Sequence, residues 1–172
     1  MANLIDYLHQ LFPLTDAQHN VLSSTIQSRD YDAKTWIVKT GRPSAQVWFV
    51  EAGVAGQFCS MGDRTYCTGI ILNNETVNTL FPNYSLQALD HTTVEFLPLA
   101  LFSNLPYHLH CLQERQWLHT AAHLQLMHLR PIDRYRHLLE YKPQLIQQVS
   151  STHLASYIGI SLGSLSRLKG RL

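Results

Sequence analysis

The sequence predicts an α+β fold: two helices, an antiparallel β-sandwich or barrel, one long helix and a small all-α domain. Three observations support this order. Apolar residues recur at helical spacing near the start, alternate with a period of two from about Lys34 to Leu97, and return to helical spacing after Pro106. Short strands separated by turn signals roughly every ten residues are typical of antiparallel sandwiches and barrels.

Two helices are expected before the strand region. The first covers residues 3–11, where leucine and isoleucine side chains at positions 4, 5, 8 and 11 have helical spacing. The second covers residues 16–28, with Thr15 or Asp16 as its N-cap.

The strand region follows as short apolar segments between turn signals such as Gly41-Arg42-Pro43 and Ala52-Gly53. The expected strands cover residues 36–38, 47–50, 54–60, 65–72, 85–89 and 92–97. Pro98 ends this region, and a short helix is expected over residues 99–104. A chain of 172 residues is long enough for one larger and one smaller domain. We place the segment boundaries at residues 1–105, 106–130 and 131–172.

A long helix is expected over residues 106–130, because no glycine or proline occurs between Pro106 and Pro131. Its apolar residues cover more surface than one small sheet can bury: Leu109, Leu112, Trp117, Leu118, Ala121, Ala122, Leu124, Leu126, Met127 and Leu129. We expect one stripe to face the chain's own sheet and another to face the same helix of a second subunit. A helix buried within a monomer is the alternative, because the pattern is not a strict heptad.

Two further helices, over residues 132–141 and 143–148, lead to a helical pair. Ala155 allows two helices to cross closely, Gly159 ends the first helix where the chain needs positive φ, and Leu165 returns an apolar side chain to the seam. Ser161 is the expected N-cap of the second helix. This spacing fits a helix-turn-helix, whose second helix enters a DNA major groove. An ordinary helical hairpin is the alternative.

Charge is distributed unevenly, although the formal net charge is only +1. Residues 1–105 contain five Lys and Arg against nine Asp and Glu, a formal charge of −4, whereas residues 106–172 contain eight against three, or +5. No acidic residue follows Glu140. A basic end without carboxylates suits a partner made of phosphates, because each Lys or Arg contact releases condensed counterions. A small solvated basic face is the alternative.

The composition disfavours several classes of protein. No run approaches the ~18 consecutive apolar residues of a membrane span, and the start lacks the basic segment of a secretion signal. Cys59, Cys67 and Cys111 are widely spaced, which fits a reducing cytoplasm better than a disulfide framework. A redox pair of Cys59 and Cys67 across a hairpin is the alternative. His119 and His123 lie one helical turn apart without a clear third ligand, so we expect neither a metal nor a cofactor.

From about residue 5 to its end, the chain resembles the Crp/Fnr family of bacterial transcription regulators. The matching segments are residues 34–54; Gln87-Ala88-Leu89-Asp90 with Thr92-Thr93-Val94; Ile132-Asp133-Arg134-Tyr135 with Leu138-Leu139; and Leu154-Ala155-Ser156-Tyr157-Ile158-Gly159-Ile160-Ser161 followed by Leu165-Ser166-Arg167. The resemblance implies that the strands form an antiparallel, jelly-roll-like β-roll within a sensor domain of the cyclic-nucleotide-binding type at 1–105. It further implies a dimerisation helix at 106–130 and a helix-turn-helix DNA-binding domain at 131–172. It also implies a cytoplasmic homodimer that binds double-stranded DNA and is not an enzyme.

Cyclic-nucleotide-binding members of this family hold the ribose with a Gly-Glu pair and the phosphate with an arginine followed by Ser or Thr. Here the first pair is Asn74-Glu75, and the phosphate arginine and its neighbour fall on Pro82 and Asn83. Proline offers neither a guanidinium nor a backbone N–H, and no Lys or Arg occurs between Arg64 and Arg115. We therefore expect no binding of cyclic AMP or cyclic GMP. A small-molecule effector of unknown identity, if the protein has one, is expected to contact Asn74, Glu75, Asn83 and Tyr84, and a vestigial sensor is the alternative.

The resemblance also implies a DNA-binding surface. Arg167 matches the arginine of the family's recognition helix and is expected to reach a guanine edge with two N–H groups. The other expected DNA-binding residues are Ser161, Ser164, Ser166, Lys169, Arg171, Thr152 and His153. Leu162 and Gly163 depart from the family's pattern, so the alternative is an effector-binding or protein-interaction module that no longer reads DNA. A cupin-like enzyme is disfavoured, because His91 is the only histidine of the strand region.

Overall fold

The computed structural model describes residues 3–42, 44–79 and 81–170. The chain begins with α1 (Leu4–Leu11) and α2 (Asp16–Thr25). The strands are β1 (Gln27–Tyr31), β2 (Trp36–Val38), β3 (Ser44–Ala52), β4 (Val54–Met61), β5 (Arg64–Leu72), β6 (Glu75–Thr79), β7 (Tyr84–Ala88) and β8 (Thr92–Pro98). A 3₁₀-helix at Leu99–Asn104 leads into α3 (Pro106–Met127), α4 (Pro131–Tyr141), α5 (Pro143–Gln148), α6 (Ser151–Tyr157) and α7 (Leu162–Lys169). This order confirms the predicted α+β fold.

The sequence prediction omitted two strands. It extended the second helix to residue 28, which is wrong, because α2 ends at Thr25 and β1 begins at Gln27. β1 pairs antiparallel with β8, from Gln27 opposite Phe96 to Tyr31 opposite Thr92. β6 pairs in the same way with β3. Both strands are largely polar, so pairing with a distant strand, rather than apolar alternation, determines their conformation.

The strands form two four-stranded antiparallel sheets, ordered β1-β8-β3-β6 and β2-β7-β4-β5. Successive residues of a strand point to opposite faces. The inner faces of the two sheets bury one cluster: Val38, Trp48, Val50, Ala55, Ile71, Val77, Leu86, Val94 and Phe96. This two-sheet arrangement is the predicted β-roll.

Gly53 is required at the turn between β3 and β4, where its φ is +87°. A Cβ there would overlap the carbonyl oxygen of His91 and lie 2.8 Å from the Cα of Thr92. The hydroxyl oxygen of Thr92 accepts a hydrogen bond from the Val54 N–H at 3.3 Å. The turn is therefore fixed against the start of β8.

Helices cover the outer face of each sheet. Outside the β1-β8-β3-β6 sheet, α1, α2 and the first turns of α3 bury Leu4, Leu8, Leu22, Val47, Phe49, Leu97, Phe102 and Leu112. Outside the other sheet, the C-terminal helices bury Val54, Phe58, Cys67, Ile70, Leu138, Leu154, Ala155, Ile158 and Leu165. The C-terminal helices therefore pack directly on the roll.

Candidate nucleic-acid interface

Both helices of the C-terminal pair begin at a serine cap. Ser150 Oγ accepts a hydrogen bond from the His153 N–H at 3.3 Å at the start of α6. Ser161 Oγ accepts one from the Ser164 N–H at 3.1 Å at the start of α7. Each cap satisfies one of the backbone donors that a helix leaves free in its first turn. The predicted capping position of Ser161 is confirmed.

The turn between α6 and α7 has the geometry that the sequence predicts. Gly159 has a φ of +66°, and the Ile160 N–H donates to the carbonyl oxygen of Ala155 at 2.9 Å. Ala155 and Leu165 are 3% and 0% exposed, and both belong to the cluster beneath the helices. The two helices thus form a helix-turn-helix with a buried seam.

Arg134 of α4 joins this turn to the end of α3, a role that the sequence analysis missed. Its Nη1 donates to the carbonyl oxygen of Ile158 at 2.8 Å, its Nη2 to that of Met127 at 2.8 Å, and its Nε to that of Leu129 at 2.8 Å. A planar guanidinium can donate in several fixed directions at once, which a lysine cannot do. The sequence signal for this role was the position of Arg134 within the segment Ile132-Asp133-Arg134-Tyr135, which resembles the family.

The outer face of α7 carries the residues assigned to DNA. Ser161, Ser166, Arg167 and Lys169 are exposed, and Ser164 is half-buried. Arg167 Nη2 donates to Ser164 Oγ at 3.3 Å. Lys169 Nζ donates to Ser151 Oγ at 2.8 Å, which ties the basic end of α7 to the start of α6. Arg171 lies outside the described residues.

The first turn of α7 is less suited to contacting DNA bases than the part of the helix that carries Arg167. The side chain of Leu162 is 50% exposed. A Cβ added at Gly163 would meet nothing within 4 Å, so this position presents open space instead of a polar side chain. Arg167 is therefore the one cationic side chain in the described part of α7 before Lys169.

The two residues predicted on α6 have different environments. Thr152 is exposed. His153 is half-buried against the roll, with its ring centroid 5.5 Å from that of Phe58. Burial, and then the charge of Lys34, lower the pKa of His153 below its usual value. Only Thr152 of this pair is open to a ligand in this conformation.

The predicted effector residues divide into two groups. Asn74 and Glu75 line a cavity of about 300 Å³ between the roll and α3, which Tyr157 of α6 also lines. Glu75 Oε2 accepts a hydrogen bond from the Leu72 N–H at 2.9 Å, and Glu75 Oε1 lies 3.7 Å from His119 Nε2.

Asn83 and Tyr84 do not line this cavity. Asn83 Nδ2 donates instead to Cys59 Sγ at 3.2 Å. Arg115 does line the cavity, from α3, and also donates to the Tyr7 hydroxyl at 3.3 Å. The sequence did not predict this position of Arg115, which the fold brings beside Asn74 and Glu75 because α3 lies next to β6.

The cysteines do not form the predicted alternative redox pair. Cys67 lies opposite Phe58 in the β4–β5 ladder, and Cys59 lies opposite Tyr66. Cys59 and Cys67 therefore occupy neighbouring rungs and face opposite sides of the sheet, because successive residues of a strand alternate between its faces. In the described part of the chain, no three His, Cys, Asp or Glu side chains converge as metal ligands.

No family model matches the chain, and no curated protein matches it. Solved structures do. FixK2 from Bradyrhizobium japonicum superposes with a TM-score of 0.73 at 17% identity, over 86% of this chain and 84% of that one. A CooA mutant from Carboxydothermus hydrogenoformans gives 0.70 at 14% identity, over 99% and 84%. TTHB099, a CRP-family regulator from Thermus thermophilus, gives 0.67 at 16% identity, over 84% and 83%.

These similarities show the fold. The chain shares with these solved structures its fold of a two-sheet roll, a long helix and a C-terminal helix-turn-helix, which is the arrangement that the sequence motifs predict. Among the described residues, no helix is both long enough and apolar enough to cross a membrane.

Proposed function

We propose that this protein is a DNA-binding transcription regulator of the Crp/Fnr type. The observation that carries the proposal is the exposed, capped α7, which presents Arg167 beside Ser164 and Ser166. The chain has no acidic residue beyond Glu140, so no nearby carboxylate of that segment repels a phosphate backbone. One similar structure, TTHB099, is described as a transcriptional regulator, which agrees with this interpretation.

Each polar group of the interface has a distinct role in the proposal. Arg167 donates two N–H groups to a guanine edge, and Ser164 holds its guanidinium in place. Lys169 and Arg171 bind backbone phosphates, and so does the exposed Thr152. His153 reaches a phosphate only if its ring leaves the roll, because it packs on Phe58.

The first test compares variants on duplexes selected from genomic fragments. Fluorescence anisotropy should show that Arg167→Ala weakens binding to the selected site by ~1–3 kcal/mol and that the variant discriminates less against other sequences. Lys39→Ala, which removes an equivalent exposed charge from the roll, should leave affinity unchanged. Unchanged affinity of Arg167→Ala for every duplex would remove its assigned role. If no duplex binds with a salt-dependent affinity, the chain is instead a module that no longer reads DNA.

The proposal includes a homodimer formed through α3, a helix of 22 residues. Trp117, Leu118 and Leu124 are 73%, 59% and 57% exposed. Trp117, Ala121 and Leu124 are spaced as i, i+4 and i+7, which is the seam of a two-helix coiled coil. Two such subunits would present their α7 helices to successive major grooves about 34 Å apart.

Sedimentation tests the dimer. Trp117→Glu with Leu124→Glu should convert a dimer into a monomer, because a carboxylate buried in the seam lacks a partner. Met61→Glu makes the same kind of change at a side chain 67% exposed on the β4–β5 hairpin, and it should leave the mass unchanged. A wild-type monomer at micromolar concentration would contradict the proposal.

A cytoplasmic setting is part of the proposal, since all three cysteines are free.

We also propose that the effector, if the protein has one, occupies the cavity beside Glu75 and is not a cyclic nucleotide. Glu75 already accepts the Leu72 N–H, and the position of the family's phosphate arginine, Pro82, is not part of the cavity lining. Calorimetry with cyclic AMP and cyclic GMP should show no heat of binding. Micromolar binding that Arg115→Ala abolishes would overturn this part.

A further inference from the structure

The helix α6 closes an open edge of the roll. β5 is the last strand of its sheet, and the Cys67 N–H points away from β4 to donate to Ser156 Oγ at 3.0 Å. An edge strand with unpaired N–H groups normally needs such a cover. A side-chain hydroxyl of α6 thus satisfies a backbone donor of the roll.

Two histidines lie at the two sides of this contact. On one side, His153 of α6 packs on Phe58. On the other, the His123 ring of α3 lies 4.5 Å from the Tyr157 ring of α6. His123 Nδ1 is buried and has no hydrogen-bond partner. Both rings are half-buried in the docked arrangement.

Cations outnumber anions around both rings. Arg134 and Lys142 act on His123 from α4 and its C-terminal cap. His123 also shares its cavity with Glu75, Arg115, His119 and Tyr157. Glu75 is the one carboxylate in that lining, and His119 lies 3.7 Å from it. His153 faces Lys34 of the roll and the Ser150 hydroxyl, so a second positive charge there is repelled.

We propose that the contact of α6 with the roll is an acid-released latch: protonation of His123 and His153 detaches the α6–α7 pair while the roll stays folded. The direction follows from the two rings. Burial first, and neighbouring cations second, lower the pKa of both histidines when α6 is docked. When α6 is released, the pKa of each histidine returns towards its usual value of about 6.5. Docking is therefore fully favoured above that pH and weakens as the pH falls through the lowered values. The latch does not require that α7 binds DNA.

Two cysteines on opposite faces of the β2-β7-β4-β5 sheet report docking and unfolding separately. Cys67 is 3% exposed and lies under α6, where burial raises its pKa to about 12. Cys59 is 7% exposed and lies beside Asn83, away from α6. Release of α6 exposes Cys67 alone, whereas unfolding of the roll exposes both thiols.

The test is labelling with 4,4′-dithiodipyridine in a Cys111→Ser background at pH 7.5 and pH 5.5. Rates are divided by those of the denatured chain at the same pH, and the labelled cysteine is identified by mass spectrometry. Cys67 should label several-fold faster at pH 5.5, with Cys59 unchanged. His123→Gln with His153→Gln should lose this response, and His110→Gln, an exposed histidine of α3, should keep it.

Three results would overturn the latch: an equal rise at both cysteines, no rise at Cys67, or a full response in the double variant. Hydrogen exchange on the unmodified protein gives a second measurement if the double variant does not fold. Exchange in β5 should accelerate at pH 5.5, after correction for the intrinsic rate, while exchange in β3 should not. Equal acceleration in both strands contradicts the proposal, and neither measurement depends on a DNA ligand.

Discussion

Replacing Arg134 tests whether its guanidinium fixes the end of α3 to the helix-turn-helix. Three donors reach the carbonyl oxygens of Met127, Leu129 and Ile158, each at 2.8 Å. Hydrogen bonds from a charged group contribute about 1.5–3 kcal/mol each. Arg134 is half-buried, so water replaces part of what is lost, and the contributions of one side chain are not additive. We therefore expect Arg134→Ala to lower the free energy of unfolding by about 3 kcal/mol.

Urea unfolding followed by circular dichroism measures this change. About 3 kcal/mol corresponds to a fall in Tm of roughly 6–12 °C for a chain of this length. Arg134→Lys should recover less than half of the loss, because an ammonium group cannot reach three carbonyl oxygens in one plane. Arg136→Ala is the control, since this exposed arginine of the same helix makes only a 3.7 Å ion pair with Asp133. Ordinary surface substitutions change stability by up to about 0.5 kcal/mol. If the two alanine variants differ by less than that, the hydrogen bonds of Arg134 do not stabilise the fold.

Three other variants follow from particular contacts. Gly53→Ala should lower stability by at least ~2 kcal/mol, because its Cβ meets the β8 backbone at positive φ; near-normal urea unfolding would refute this. Ser161→Ala should cost about 1 kcal/mol by removing the α7 cap, which thermal unfolding would detect. Burial raises the pKa of Glu95 despite the Leu4 N–H that it accepts. Glu95 therefore stabilises the fold most below about pH 4.3, and that contribution is lost as pH rises. Glu95→Gln should be the more stable protein at pH 7 and should match wild type near pH 4.

Local signals were sufficient for the helices and for the turn of the helix-turn-helix. Ser161 caps α7 as predicted, and Gly159 takes the positive φ that its position indicates. Thr15 caps α2, with Gln18 completing a capping box. Each of these features depends on residues within a few positions of one another, so the sequence contains the whole determinant.

Features that depend on distant partners were missed or misplaced. The first two residues of β1, Gln27 and Ser28, were assigned to a helix, because the pairing of β1 with β8 joins residues far apart in sequence. Asn83 was assigned to an effector site by counting from a motif, but it bonds Cys59 and lies outside the cavity lining. Arg115 appeared distant along the chain, yet α3 places it in that lining. The hydrogen bond from the Cys67 N–H to Ser156 Oγ joins two residues that are far apart in sequence, and no local sequence pattern predicts it.

The strengths of the contacts around α6 differ, and this determines which of them opens first. Towards α3 and α4, the turn after α6 is held by a charged guanidinium that also grips the end of α3. Towards the roll, α6 contributes apolar side chains to a shared cluster, but its polar contact is one neutral hydrogen bond at Cys67, accompanied by the aromatic contact of His153 with Phe58. Charged hydrogen bonds are roughly twice as strong as neutral ones, and the contact with the roll includes His153, a side chain of the type that titrates near neutral pH. Hydrogen exchange at graded urea concentrations should therefore show β5 losing its contact with α6 before the turn after α6 separates from the end of α3. The reverse order would show that the hydrogen bonds of Arg134 are the weaker of the two connections.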